Sequence, residues 1–288
     1  MISRCYLEIT NICNLNCVFC AGHRRVPRMM TEDEFDALTD RLCNRVKFLY
    51  FHLMGEPMMN PSLPTFVRKA REKGFIPVLT TNGTLLHTNG CGLSPMAVEL
   101  ADSIPYKVNI SLHSHEGNAD SWMTLEDYIG SVMDFCTMAT AKGTIAVLRL
   151  WNEGGYDNDN EVILGLIRRY IPGDWTTMKN GLKLADRLFI EYDSMFEWPD
   201  GNVEDYGDES FCYALRNQFG VLVDGTVVPC CLDHDGDMAL GNLFRQPLDE
   251  ILSSERATSI YDGFTRHKAV EPLCRKCGYA MKTKHYRQ

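Results

Sequence analysis

No stretch of about eighteen apolar residues occurs in the chain, so no membrane-spanning helix is expected. The N-terminus lacks a basic segment followed by an apolar core and a small-residue cleavage site. That absence predicts no secretory signal and a cytoplasmic protein. Positive charge is in short supply. Lys and Arg number 29 against 38 Asp and Glu, and the net charge of −9 argues against broad electrostatic attachment to nucleic acid. Internal repeats and low-complexity tracts are missing. Hydrophobic and charged fractions of 45% and 23% exclude a disordered chain. A length of 288 residues allows a substantial core and exceeds one average domain.

What the chain does have is cysteine. Twelve of them without an export signal point to metal or catalysis rather than disulfides, because the cytosol keeps thiols reduced. Seven fall into two sets. The first, Cys13-Asn-Leu-Asn-Cys17-Val-Phe-Cys20, follows a strand-like run from Tyr6 to Thr10. Soft thiolates suit iron–sulfur clusters, and a cubane normally takes four of them. A loop offering three leaves one coordination position open for another ligand, the logic that separates catalytic from structural zinc. The alternative is a zinc site completed by His23. The second set is Cys212, Cys230, Cys274 and Cys277. Four thiolates leave no free position, which fits a fully ligated cluster or, alternatively, a structural zinc ribbon.

Between these sets the chain alternates strand and helix signals. Thr31-Glu-Asp-Glu34 is a capping box opening a helix that carries Phe35, Leu38 and Leu42. Further strands are expected at 48–53, 78–81, 108–112, 145–150 and 188–192, with helices at 62–73, from Ser94-Pro95 to about Ala101, from Leu125 towards Gly143, and at 161–171. Six strands alternating with helices predict a parallel α/β sheet, open or curled into a partial (β/α)6 TIM-like barrel over residues 1–196. An acidic connection follows at 197–210. A small cysteine-rich domain over 211–288 would contain a hairpin turning at Asp224-Gly225 and a helix near 248–259. So small a tail with few apolar periodic segments benefits from a metal staple. The chemically distinctive residues all fall at strand C-termini, where parallel α/β folds build their sites.

With these motifs the sequence resembles the radical S-adenosylmethionine (SAM) enzymes, whose signature is this C-x3-C-x2-C loop with an aromatic, here Phe19, before the last cysteine. The resemblance implies a [4Fe–4S] cluster on Cys13, Cys17 and Cys20 whose free iron chelates SAM, and cleavage of SAM to a 5′-deoxyadenosyl radical that abstracts hydrogen from a substrate. It also implies SAM contacts from Gly55-Glu56-Pro57, Asn82, Ser111 and Arg149. Met54 stands where many members carry a second glycine. The second set, with Val223-Asp-Gly-Thr-Val-Val-Pro-Cys230 around it, resembles the auxiliary-cluster domains of these enzymes. It is closer to the shorter twitch form than to full SPASM, since no cysteine follows Cys277. That implies an auxiliary [4Fe–4S] cluster on Cys212, Cys230, Cys274 and Cys277, able to accept an electron.

The implied activity is an oxidoreductase acting at a C–H bond of a polar small molecule, reduced by a flavodoxin or ferredoxin. The alternative is modification of a peptide, by epimerisation with Cys231 as hydrogen donor or by thioether or carbon crosslinking. The absence of an N-terminal peptide-recognition segment counts against it. A non-enzymatic zinc protein is the outsider. Arg149, Glu191 and Cys231 are the candidate catalytic groups, with Asp193 and His113 as further titratable candidates. The run His23-Arg24-Arg25-Val26-Pro27-Arg28 reads as a solvated face or an anion site. Trp151 to Tyr156 reads as a lid. Cys5, Cys43, Cys91 and Cys136 read as small core residues.

Overall fold

The computed structural model describes residues 2–88, 92–118, 123–153 and 160–285. Strands β1 (Arg4–Leu7), β2 (Phe48–Phe51), β3 (Ile76–Thr81), β4 (Lys107–Ser111), β5 (Ile145–Glu153) and, later, β8 (Leu188–Ser194) are parallel neighbours in that order. Helices α1 (Glu32–Leu42), α2 (Leu63–Glu72), α3 (Pro95–Ser103), α4 (His113–Glu116), α5 (Leu125–Ala141) and α6 (Asn160–Tyr170) lie between them in sequence. The expected six-stranded partial barrel is present. Thr31 caps α1 with both bonds of its capping box, and Ser94 caps α3 by accepting from the Ala97 amide. Phe35 of α1 stacks on Phe66 of α2 at 4.3 Å and meets Phe51 of β2 at 5.9 Å, so the first two helices share one aromatic seam against the sheet. Cys5 and Cys136 are fully buried and Cys43 half-buried. Cys91 lies outside the described residues.

Several features depart from the sequence reading. A hairpin of β6 (Thr176–Met178) and β7 (Gly181–Ala185) adds antiparallel to β8. Its first strand is exposed and short, so it carries no hydrophobic alternation to read. Strands β9 (Gln218–Val221), β10 (Thr226–Val228) and β11 (Gly241–Asn242) extend the barrel sheet rather than forming one of their own. Strand β9 pairs in parallel with β1, register Arg4↔Gln218 to Leu7↔Val221, giving one sheet of order β11-β10-β9-β1-β2-β3-β4-β5-β8-β7-β6. The β9–β10 turn is not a two-residue Asp-Gly turn. Leu222 accepts from the Gly225 amide, the Leu222 amide donates to Thr226, and only Gly225 is left-handed (φ +84), which is a three-residue turn closed by a glycine bulge. The helix expected at 248–259 is broken in two, α7 (Leu248–Leu252) and α8 (Glu255–Thr265), because Ser254 caps the second. Two short helices follow, α9 (Pro272–Arg275) and α10 (Gly278–His285).

The basic run after the first cysteine loop is solvated in part, at Arg24, Val26 and Pro27, but its arginines are paired rather than left as a vacant anion site. Arg25 makes a two-pronged ion pair with Glu8 (2.6 and 2.7 Å), a residue with no solvent exposure. Arg24 bonds Asp235 (2.7 Å) and Asp237 (3.1 Å), and Arg28 pairs with Glu34. Glu8 also accepts from the backbone amides of Met54 (3.2 Å) and Val223 (2.9 Å), and Arg25 donates to the His234 carbonyl (2.8 Å). One carboxylate thus joins β1, the end of β2, the cysteine loop and the β9–β10 turn. Removing one member of a buried pair strands the other charge. Arg25→Met should lower unfolding free energy by roughly 3–5 kcal/mol in urea titrations, whereas Arg24→Met, at an exposed pair, should leave the urea midpoint close to that of the wild type.

Candidate active site

The loop bearing Cys13, Cys17 and Cys20 is closed at its base by residues of the first strand end. Thr10 donates its hydroxyl to the Arg28 carbonyl, and Asn11 accepts from the Arg28 amide (2.7 Å) while donating to the Val26 carbonyl (2.9 Å). His23 donates Nε2–H to the Asn11 carbonyl (2.7 Å) and does not line the cavity onto which the three cysteines open. The other side of the loop is set by the end of α4. Asn118 accepts from the Asn16 amide (3.1 Å) and donates to the Cys17 sulfur (3.1 Å), and Val18 donates to the Gly117 carbonyl. Phe19 lies against His113 (5.1 Å between rings) and so close to Gly117 that a Cβ there would sit 2.4 Å from it.

The strand ends below are tightly bonded. Glu56 is fully buried and accepts from the amides of Met58 (3.0 Å) and Asn82 (2.7 Å) and from the Thr81 hydroxyl (2.7 Å). Burial pushes its carboxyl up while these three donors pull it down. Gly55 has φ +75, and a Cβ there would meet the Thr10 carbonyl at 2.5 Å, so only glycine lets this turn nest against the cysteine loop. Asn82 donates to Asn14 (3.0 Å) and accepts from both the amide and the hydroxyl of Thr84. Its side chain therefore braces the cysteine loop.

A single cavity of about 770 Å³ runs from this loop through the barrel interior to the second cysteine set. Cys13, Cys17, Phe19, Cys20, Gly55, Asn82, Ser111, His113 and Arg149 line it, as do Cys212, Cys230, Cys231, Cys274 and Cys277. Glu56, Pro57, Glu191 and Asp193 stand outside that lining. Glu191 accepts from Arg149 Nε (3.1 Å), and Asp193 from Lys282 (3.0 Å). Arg149 lies 4.3 Å over the Trp151 ring. Of the expected lid, Trp151 lines the cavity, and residues 154–156 lie outside the described residues.

Several lining residues are not singled out by the sequence reading, among them Tyr6, Tyr50 and His52. The tyrosines stack at 4.8 Å, and the imidazole meets both edge-on at 5.2 and 5.7 Å. Their signal is the strand alternation itself. In β1 and β2 one set of alternate residues (Cys5, Leu7, Leu49, Phe51) is buried under the helices, and the other (Tyr6, Tyr50, then His52) faces the barrel interior.

The donor chemistry of the cysteines fits clusters. All are free thiols among the described residues. Burial pushes Cys13 and Cys277 up to about 11, and neighbouring thiols raise Cys13, Cys230 and Cys274 further, so these sulfurs need a cationic centre to ionise. Amide N–H groups already point at several of them: Asn118 at Cys17, Gly22 at Cys20 (3.5 Å) and Ala214 at Cys212 (3.4 Å). Such bonds favour thiolate ligands and tune a cluster's potential.

Burial, reinforced by the Arg149 charge, drops His52 to about 3. A histidine of ordinary pKa takes up a proton in the unfolded chain below about pH 6.5, while this one refuses it until about 3. Stability is therefore complete above that window and falls as pH drops through it. His52→Phe should remove up to roughly 1.4 kcal/mol per pH unit of that loss, measured as the change in urea midpoint between pH 7 and 5.

Comparison with known proteins agrees with this arrangement. The family model of the radical SAM superfamily matches residues 7–173, and that of the iron–sulfur cluster-binding SPASM domain matches 212–278. A probable GTP 3′,8-cyclase of Methanothermobacter thermautotrophicus is 28% identical over 267 residues, covering 80% of this chain and 84% of that one. The tungsten-containing aldehyde ferredoxin oxidoreductase cofactor-modifying protein of Pyrococcus furiosus is 36% identical over 91 residues, 28% of this chain and only 24% of that protein. The crystal structure of BtrN in complex with AdoMet and 2-DOIA superposes with a TM-score of 0.59 at 18% identity, covering 96% of this chain and 93% of that one. Native anSMEcpe with bound AdoMet gives 0.62 at 14% identity, covering 99% and 96%. A family match over more than half of the chain, a shared fold and a three-thiol loop at the mouth of a partial barrel make this a member of the radical SAM superfamily, binding SAM and a [4Fe–4S] cluster and carrying a C-terminal SPASM-type iron–sulfur domain.

Proposed function

We propose that the chain is a radical SAM oxidoreductase that removes two electrons and two protons' worth of hydrogen from a polar small molecule at one C–H bond. The observation that carries this reading is the shared cavity: both thiol sets and the barrel interior open onto the same space. Its volume lies in the range of small-molecule sites. When loaded, the centre on Cys13, Cys17 and Cys20 supplies a 5′-deoxyadenosyl radical from SAM that takes one hydrogen atom, and the centre on Cys212, Cys230, Cys274 and Cys277 supplies an acceptor for the electron left behind.

The protein's part is orientation, exclusion of water and removal of the remaining proton. Gly55, Asn82 and Ser111 present backbone, amide and hydroxyl groups to the SAM side of the cavity, and Glu56 and Pro57 hold those groups in place from behind. Phe19 closes the wall beside the cysteine loop. Arg149, stacked on Trp151, orients the substrate's polar group, Glu191 behind it holds the guanidinium at Nε, and His113, the titratable candidate that lines the cavity, takes the departing proton. A flavodoxin or ferredoxin delivers the starting electron.

A second reading rests on Cys231. It lies on the same cavity wall as Tyr6, where a thiol could return a hydrogen atom and make the outcome epimerisation, of a peptide or another substrate. Anaerobic reconstitution should give about eight irons per chain, two cubanes' worth. Replacing Cys13, Cys17 and Cys20 by Ala should leave about four and abolish 5′-deoxyadenosine formation. With substrate deuterated at the reacting carbon, label should appear in 5′-deoxyadenosine, and Cys231→Ala should leave turnover intact. Loss of turnover in Cys231→Ala, with SAM cleavage retained, would move the assignment to epimerisation. Zinc in both sites with no SAM cleavage would sink both readings.

A further inference from the structure

The cavity wall has a charge bias opposite to that of the molecule. Among the described residues lining it, the only charged side chains are Arg4 and Arg149, and no Asp or Glu is present. The chain as a whole carries −9. The thiol sets bring negative charge of their own once ionised, and Arg4 is exposed, so the cation available to an anion in the barrel interior between them is Arg149.

Arg149 is held in an orientation that leaves most of its hydrogen-bonding capacity unused. Its Nε donates to Glu191 and its face rests on Trp151. The two terminal nitrogens have no partner among the described residues, and the side chain is 15% exposed. A guanidinium tied at Nε and clamped on its face retains the Nη1/Nη2 edge, the geometry that takes two oxygens of a carboxylate or phosphate. Unlike the buried Nδ1 of His52, neither terminal nitrogen is sealed off, so the edge is open to the cavity and to a ligand within it.

His52 stands within the field of Arg149 and makes no hydrogen bond to the described residues. Its Nδ1 is buried without a partner, and its ring is fixed by Tyr6 and Tyr50. A neutral imidazole offers one donor and one acceptor. The packing that immobilises it leaves the cavity as the place where either can be used.

We propose that the substrate carries an oxyanion, a carboxylate or a phosphate, held by the Nη1/Nη2 edge of Arg149, with His52 as a specificity-determining hydrogen-bonding group beside it. This rests on the oxidoreductase reading and names the substrate class of the same site. It assigns Arg149 to the substrate rather than to the SAM carboxylate.

The test uses the reconstituted protein with SAM bound, titrated at constant ionic strength with sodium acetate, sodium phosphate and glycerol by calorimetry and tryptophan fluorescence. One anion should bind saturably and glycerol should not, and whichever of acetate or phosphate binds more tightly identifies the oxyanion. Arg149→Gln should weaken that anion by about tenfold or more, Arg149→Lys by less, since the charge remains and the fork is lost. Glu191→Gln should tighten it several-fold, because a competing carboxylate is removed; a merely structural ion pair would give loss in both variants. His52→Phe should weaken it by a few-fold. Anion binding unchanged in Arg149→Gln, absent in the wild type, or retained while SAM binding is lost would overturn the proposal. Formation of 5′-deoxyadenosine on reduction, measured in parallel, reports separately on the enzymatic reading.

Discussion

The buried Glu8 carboxylate is the constraint on which the arrangement of this molecule depends. An ionised group with no solvent exposure must be surrounded by donors. Its donors come from Arg25 in the cysteine loop, from Met54 at the end of β2 and from Val223 in the β9–β10 turn. Those segments are far apart in sequence, and each contributes to one end or the other of the cavity. The ion pair therefore ties the cysteine loop to the β9–β10 turn. Arg24, reaching Asp235 and Asp237 from the same loop, repeats the tie at the surface.

The second organising feature is the two-sidedness of the barrel strands. Residues facing the helices are apolar and fully buried, as with Leu49, Phe51, Val108, Ile110 and Leu148. Those facing inward include Tyr50, His52, Thr80, Ser111 and Arg149, which no closely packed interior would choose. A lumen with polar side chains set in a mostly apolar wall, flanked by two sets of thiols, gives the chain a reaction chamber instead of a second core.

Much of this was legible in the residues. The Cys13–Cys20 spacing and the alternation of six strands with helices are strong local signals, and the first thiol set follows a strand end as expected; that the second set opens onto the same cavity had no signal in its spacing. What stayed hidden depended on tertiary context. The β6–β7 hairpin has too short and too exposed a first strand to show periodicity. Asn118, Tyr6, Tyr50 and His52 carry no motif, and their importance comes from what folding places beside them. The Arg24–Arg25 run reads as surface because its acidic partners, Glu8, Asp235 and Asp237, lie in other parts of the chain. Glu56 and Asn82 were expected to face a ligand. In the fold their polar atoms are largely taken up by Thr81, Asn14 and Thr84, which makes them braces of the wall.

The parallel pairing of β9 with β1 has a consequence for how the molecule is made. As the chain leaves the ribosome, β1 can find β2 early, but the partner for its other side, the segment from Gln218 to Val221, emerges only after every other parallel strand of the barrel has been made. Until then a row of unbonded amides and carbonyls lies open next to the cysteine loop, a template for mispairing with other nascent chains. So late a closure makes for slow maturation, and it makes the last third of the polypeptide a requirement for finishing the first strand.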